Sequence, residues 1–214
     1  MTTPSPARPP ERVVLEGRYA RLEPLEMRHA ADLYAAAKDD AERFAYLSEY
    51  PPSDEAAMAE WVAVAAARTD PLMFAVIDRT TDRAVGRQAL MRITPEHGVI
   101  EVGSIYWGPA MARTSVATEA LYLHAAHVFD ALGYRRFEWK CNDRNEPSKA
   151  AALRFGFTFE GVFRQHMIVK GENRDTAWYS MLDGEWPRIR QEYERWLDPS
   201  NFEADGTQKT RLRF

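Results

Sequence analysis

The run from Val99 to Asn142 constrains this chain more than any other feature. Val99–Trp107 reads as a strand. Thr118–Leu132 reads as a helix, because Ala117, Leu121, Ala125, Val128 and Leu132 recur at helical spacing and Gly133 follows as a C-cap glycine. Arg135–Asn142 then alternates, with Phe137, Trp139 and Cys141 on one face and Arg136, Glu138 and Lys140 on the other. Strand, helix and strand in that order make a β-α-β crossover, which requires a parallel pair within the sheet.

What precedes the crossover is antiparallel in pattern. Phe74–Asp78 and Val85–Ile93 flank the turn Thr80–Asp82, and Pro95–Gly98 turns the chain into Val99–Trp107. Before this meander come a strand over Val13–Leu25, broken at Glu16–Gly17, and short helices over Arg28–Lys38 and Asp40–Leu47. A helix to about Arg68 opens with Ser53 as N-cap and Asp54 and Glu55 in its first turn. After the crossover, a short helix over Pro147–Phe155 stops at Gly156, two strands (Thr158–Val169 and Asp175–Leu182) flank a Lys170–Asn173 turn, and Glu185–Leu197 closes the order as a helix. The fold class expected is α/β (α+β): a mixed, mostly antiparallel sheet with helices on both faces.

The 214 residues fit one domain, expected over 13–197, between a proline-rich arm over 1–12, read as disordered, and a loose polar tail over 198–214. The arm holds four prolines in its first ten residues and lacks the apolar stretch of a signal peptide. A net charge of −4 argues against general nucleic-acid binding. No apolar run is long enough to span a bilayer, and a single cysteine, Cys141, fits a reducing compartment; a cytoplasmic location is expected.

Chemistry concentrates after Trp107. Arg113, Thr114, Ser115, Val116, Ala117 and Thr118 lie between strand and helix. Unpaired amides, a helix dipole and one guanidinium there suit a pyrophosphate, although an ordinary loop capped by Ser or Thr explains the same residues. Asn145 and Ser148 follow the next strand, where each could serve a long phosphorylated cofactor or cap the short helix. Gly103 inside a strand suggests a bulge or a packing glycine. Unbroken alternation would put Glu101 on one face with Gly103, Ile105 and Trp107, as a base or as a salt-bridged strand residue. Cys141, on an apolar face, reads as a buried inert thiol, and the five histidines lack metal-ligand spacing. Arg164, Lys170, Arg174 and Asp175 gather on the last hairpin with Trp178 and Tyr179.

The block after Trp107 resembles motif A of the GNAT superfamily of N-acetyltransferases. Thr118-Glu119-Ala120, Asn145-Glu146-Pro147-Ser148 and Gly156-Phe157-Thr158-Phe159-Glu160-Gly161 resemble, in order, the signature of the RimJ/RimL-like branch, the ribosomal-protein N-terminal acetyltransferases. The resemblance implies a splayed parallel strand pair that binds acetyl-CoA as co-substrate, with no metal required. It implies pantetheine along Ile105, Tyr106 and Trp107, an N–H near Ile105 or Tyr106 polarising the acetyl carbonyl, and pyrophosphate at Arg113–Thr118. Asn145 would bond to pantetheine, Ser148 would serve the leaving thiolate, and Glu101 would take a proton from the amine. In the turn, Ser115 stands where glycine is usual, Ala112 where Gln or Arg is usual, and Arg113 one residue late. The activity implied is acetyl transfer to a primary amine, of a protein N-terminus or a small molecule, by direct attack. The alternatives are a non-catalytic acyl-CoA-binding or regulatory module on the same fold, and an interaction protein working through its aromatic hairpin. No nucleic-acid or membrane partner is implied, and the oligomeric state is open, a homodimer included.

Overall fold

The computed structural model describes residues 6–214. Eight strands form one sheet: β1 (Leu15–Glu16), β2 (Ala20–Pro24), β3 (Leu72–Asp78), β4 (Arg83–Thr94), β5 (Val99–Trp107), β6 (Arg136–Asn142), β7 (Thr158–Val169) and β8 (Glu172–Leu182). Their order is β1-β2-β3-β4-β5-β6-β8-β7, and β5–β6 is the one parallel pair among the described residues. Five α-helices complete the fold: α1 (Ala30–Ala37), α2 (Glu55–Ala66), α3 (Ser115–Ala126), α4 (Glu146–Arg154) and α5 (Trp186–Leu197). The mixed sheet expected from the crossover is present.

Helices lie on both faces. On one, Leu33 of α1, Met58 and Val62 of α2, and Phe44 from the segment between them pack against Met73, Ala75 and Ile77 of β3. On the other, Ala120, Leu121 and Ala125 of α3 pack with Ile189 and Tyr193 of α5 over Phe74, Ile100, Val102 and Phe137. Trp186, Ile189, Tyr193, Trp196 and Leu197 are the buried stripe of α5, spaced as one helical face requires. Burying each such side chain contributes about 1.5–3 kcal/mol.

Several local expectations shift. The strand read over Val13–Leu25 is two antiparallel strands, β1 and β2. The turn between them is held by Glu119 of α3, which accepts from the amides of Arg18 (3.0 Å), Tyr19 (2.5 Å) and Ala20 (2.6 Å). Asp54, not Ser53, caps α2 by accepting from the Ala57 amide at 2.8 Å. The crossover helix starts at Ser115, and its last turn widens into a π-helix over His127–Ala131 before Gly133 at φ +77°. β8 begins at Glu172, before the expected Asp175.

Residues 1–5 of the expected arm lie outside the described residues; Ala7 is buried, with its amide on Pro95 O, and the Arg8 amide bonds Leu132 O. The tail read as loose is tied down. Asn201 donates to Trp196 O and accepts from the Thr210 amide, and Phe214 packs on Tyr193. A few aromatic anchors suffice for this, in a segment whose polar composition pointed the other way.

Candidate active site

β5 and β6 pair only from Val99 to Val102, opposite Arg136 to Trp139. Both strands then continue without pairing to each other, and the cleft between them, reaching from Trp107 and Ser148 to Glu101 and Arg174, is part of a cavity of about 890 Å³ that extends over the Asp40–Glu49 segment and α2. A bulge parts them. On the β4 side, Gly103 faces Ala89 and Tyr106 faces Arg87, so Ser104 and Ile105 together oppose Gln88. Ser104 sits at φ +49°, a left-handed conformation costly for a residue with a Cβ. Arg87 holds it there, donating to Ser104 O at 2.6 Å and to Ser104 Oγ at 2.9 Å. The buried guanidinium lies on the Trp61 ring and is ion-paired with Glu49. Burial depresses the pKa of Arg87; burial opposes charge on Glu49 too, but the Arg87 pairing outweighs it and keeps that carboxyl below its usual range.

The bulge thus falls one residue after Gly103, which stays paired. A Cβ on Gly103 would collide with the Met91 sulfur, so this is a packing glycine. The extra residue also breaks the alternation. Ile100, Val102, Ile105 and Trp107 share the core under α3, whereas Tyr106 packs with Phe44 on the α1–α2 side. Glu101 therefore does not share a face with Ile105 and Trp107, contrary to the unbroken pattern. Tyr106 donates to Ala36 O at 2.8 Å and Asp40 Oδ2 at 2.9 Å, and burial followed by Asp40 raises its phenol pKa. Trp107 donates to Gln88 Oε1 at 3.0 Å, and Gln88 Nε2 bonds Ala120 O and His124 Nδ1, tying β5 to α3.

Ser148 and Asn145 stand across the cleft from β5. Asn145 is the N-cap of α4 and accepts from the Ser148 amide at 3.1 Å. Capping belongs to Asn145; Ser148 is the residue capped, with its hydroxyl left free of that duty. Trp139 Nε1 donates to Ser148 Oγ at 3.0 Å. A hydroxyl that accepts from an indole keeps its own proton to give, and this one lines the cleft. Cys141 is buried near it; burial raises the thiol pKa against the lowering effect of the Ser148 hydrogen bond, which fits an inert core cysteine.

The turn Arg113–Thr118 lies at the start of α3, outside the lining of that cleft. Its left-handed residue is Arg113, at φ +65°, so Ser115 escapes the strain its replacement of glycine suggested. Thr114 is the N-cap, but its hydroxyl donates to Met111 O at 2.6 Å and no side chain caps the helix. The first-turn amides of Ser115, Val116 and Ala117 thereby have no side-chain cap, and the exposed Arg113 lies beside them. Val116 and Ala117 point their side chains into the core, and Thr118 Oγ1 accepts from Arg154 at 3.2 Å.

Glu101 is buried in an ionic ladder that runs across the sheet. Arg92 reaches it at 2.6 Å and Lys140 at 2.9 Å; Lys140 also meets Glu138 at 2.7 Å and lies 3.8 Å from the Trp178 ring centroid. Glu138 and Glu160 are in turn bound by Arg136. Arg136, Glu138 and Lys140 formed the polar face of the alternating strand in the sequence; that they meet Glu101 follows from the parallel register, which places Glu101 beside Glu138. On the hairpin, Asp175 accepts from the Gln165 amide and forms no ion pair with Arg174; Lys170 reaches across to Phe44 O. Tyr179 is buried under Phe159. Sequence reasoning missed Arg87 and Glu49 as supports of the site, since nothing local marks them.

Among the described residues no group of three or more His, Cys, Asp or Glu is placed to hold a metal ion, and no helix is long and apolar enough to cross a membrane. The sequence model of the GNAT acetyltransferase domain matches residues 20–158. The crystal structure of a GCN5-related N-acetyltransferase from Brucella melitensis has a TM-score of 0.95 to this chain at 55% identity, covering 97% of this chain and 95% of that one. An uncharacterized N-acetyltransferase, p20, of Bacillus licheniformis is 28% identical over 117 residues, which are 53% of this chain and 63% of that relative. The match therefore spans less than two thirds of that curated relative. At 20% identity and a TM-score of 0.69, the fold is shared with the microcin C7 self-immunity acetyltransferase MccE, solved in complex with acetyl-CoA and AMP, over 78% of this chain and 93% of that one. With its parallel strands parted over a cleft and most of its sheet within the matched span, the chain belongs to the GNAT acetyltransferase family.

Proposed function

We propose that this chain transfers an acetyl group from acetyl-CoA to a primary amine by direct attack, and that it falls in the RimJ/RimL-like branch of its family. The observation that carries the reading is the parting of β5 and β6 after Val102, which leaves the Ser104–Trp107 backbone facing Ser148 across an open cleft. A pantetheine arm fits there as an added strand, bonding to backbone groups of Ile105, Tyr106 and Trp107, with the amide of Ile105 or Tyr106 on the acetyl oxygen. The uncapped amides of Ser115–Ala117, with Arg113, Thr114 and Thr118 around them, receive the pyrophosphate. Asn145 fixes the start of α4 beside that arm. The acetyl-CoA complex of MccE supports this choice of co-substrate.

In the reaction, the amine nitrogen attacks the thioester carbon, the C–S bond breaks, and the amine loses a proton. Glu101 takes a proton from the incoming ammonium, directly or through water, so that the neutral amine attacks, and the proton lost after attack leaves with the thiolate as thiol. Ser148, whose oxygen accepts from the Trp139 indole, donates its own proton to the departing thiolate. Titration calorimetry with acetyl-CoA, followed by thiol release over peptide and small-molecule amines, tests the reading. Acetyl-CoA present at 100 times its dissociation constant should stabilise the fold by roughly 2.7 kcal/mol. Neither heat nor a melting shift with millimolar acetyl-CoA would overturn the reading, and binding without turnover of any amine would favour the non-catalytic module.

A further inference from the structure

Resting on the acetyl-transfer reading, we propose that Arg174 receives a carboxylate of the acceptor, so that the amine acetylated belongs to an acidic molecule. The argument is one of charge. Arg92 and Lys140 line the cleft with Glu101 and Arg174, and they belong to an ionic ladder that continues through Glu138, Arg136 and Glu160. Each carboxylate of that ladder is matched by a cation at 2.5–2.9 Å and each of its cations is so used, whereas Arg174 beside it is not. Among the described residues no carboxylate comes within ion-pair distance of Arg174; its Nε donates only to the Thr176 hydroxyl, at 3.2 Å.

Arg174 is also half-buried, at the end of β8 where the strand runs past β6. Burial weighs against its charge, so an anion that arrives meets a poorly hydrated guanidinium with its Nη groups unspent. Its place separates it from the co-substrate's phosphates. It stands on the hairpin beside Met167 and lines the cleft, whereas no residue of Arg113–Thr118 does. A carboxylate held by Arg174 would fix the acceptor beside Glu101, whose own charge Arg92 and Lys140 already match.

The test uses pairs of amines that differ only in carboxylate against carboxamide: glutamyl and glutaminyl tripeptide amides, the aspartyl and asparaginyl pair, and alanyl-alanine as acid and as amide. Turnover is read by thiol release, and acceptor binding by calorimetry on the CoA-bound protein, which needs no turnover. The acid member of at least one pair should be preferred by roughly 10- to 100-fold, mostly through KM, as a charge-assisted hydrogen bond implies. Arg174→Met should bring that ratio within about twofold, and Arg174→Lys should restore part of it. Equal treatment of acid and amide in every pair, by both readouts, overturns the proposal, and so does a preference that survives Arg174→Met. If Arg174→Met instead weakens acetyl-CoA binding, the residue serves the co-substrate and the proposal also fails. Acetyl-CoA that does not bind the parent protein defeats the acetyl-transfer reading; acetyl-CoA that binds, with no acid preference, defeats this inference alone.

Discussion

Ser148→Ala separates chemistry from packing at the centre of the site. The hydroxyl accepts from Trp139 Nε1 at 3.0 Å, and Trp139 is buried. Removing it leaves a buried indole N–H without a partner, a loss of about 1–3 kcal/mol in stability. It also removes a donor to a thiolate whose charge exists only as the C–S bond breaks. A hydrogen bond to a charged group contributes about 1.5–3 kcal/mol, so kcat should fall roughly 10- to 150-fold with little change in acetyl-CoA affinity. Trp139→Phe supplies the control: the indole donor goes, the hydroxyl stays, and kcat should fall less than in Ser148→Ala for a comparable loss of stability. Melting and single-turnover thiol release on one preparation give both quantities per folded molecule. Full turnover in a destabilised Ser148→Ala protein would refute the reasoning and leave Ser148 as a support for Trp139.

Glu101→Gln should lower kcat by about 10²- to 10⁴-fold and flatten the acid limb of the pH–rate profile, whereas an unchanged profile assigns the proton to solvent. Arg87→Met strands Glu49 and releases Ser104, and should cost roughly 3–5 kcal/mol in denaturant titration; pairing it with Glu49→Gln should recover much of that loss if the uncompensated charge is the cause. His124 is fully buried, and burial followed by His127 depresses its pKa to about 3. The unfolded chain, with an ordinary histidine near pKa ~6.5, binds this proton first, so the stability His124 contributes is complete above that pH and falls as the pH drops towards 3. Its share of the slope should approach about 1.4 kcal/mol per pH unit, and His124→Gln should remove that share; parallel stability–pH curves for parent and variant would count against the assignment.

The order of elements was legible because each part of it is written locally. The stripe Ala117–Leu132 marks a helix, Gly133 its end, and the alternation from Phe137 to Cys141 a half-buried strand. Ser148 and Asn145 were legible as a pair for the same reason, since cap and capped residue lie three apart. Their division of labour was not: the helix begins at Glu146, so Asn145 caps it, and the serine hydroxyl is met by Trp139 from another element. Glu119 shows the same limit from the motif side. Its position inside Thr118-Glu119-Ala120 is local, but its work is to hold three amides of a turn about a hundred residues earlier.

The bulge that opens the cleft is the clearest case of what local pattern cannot carry. From the sequence, glycine at 103 is the natural place for a strand to break, because glycine alone lacks the steric penalty. Yet Gly103 stays in register, required by Met91 above it, and the break falls on a serine at φ +49°. Ser104 adopts that conformation because Arg87 binds its carbonyl and hydroxyl, and Arg87 can be buried there because Glu49 and Trp61 receive it from a loop and a helix on the other side of the cleft. One residue's displacement then moves Tyr106 to the α1–α2 side and separates Glu101 from Ile105 and Trp107. The faces presented to acceptor and co-substrate are thus decided by a buried ion pair far away in sequence.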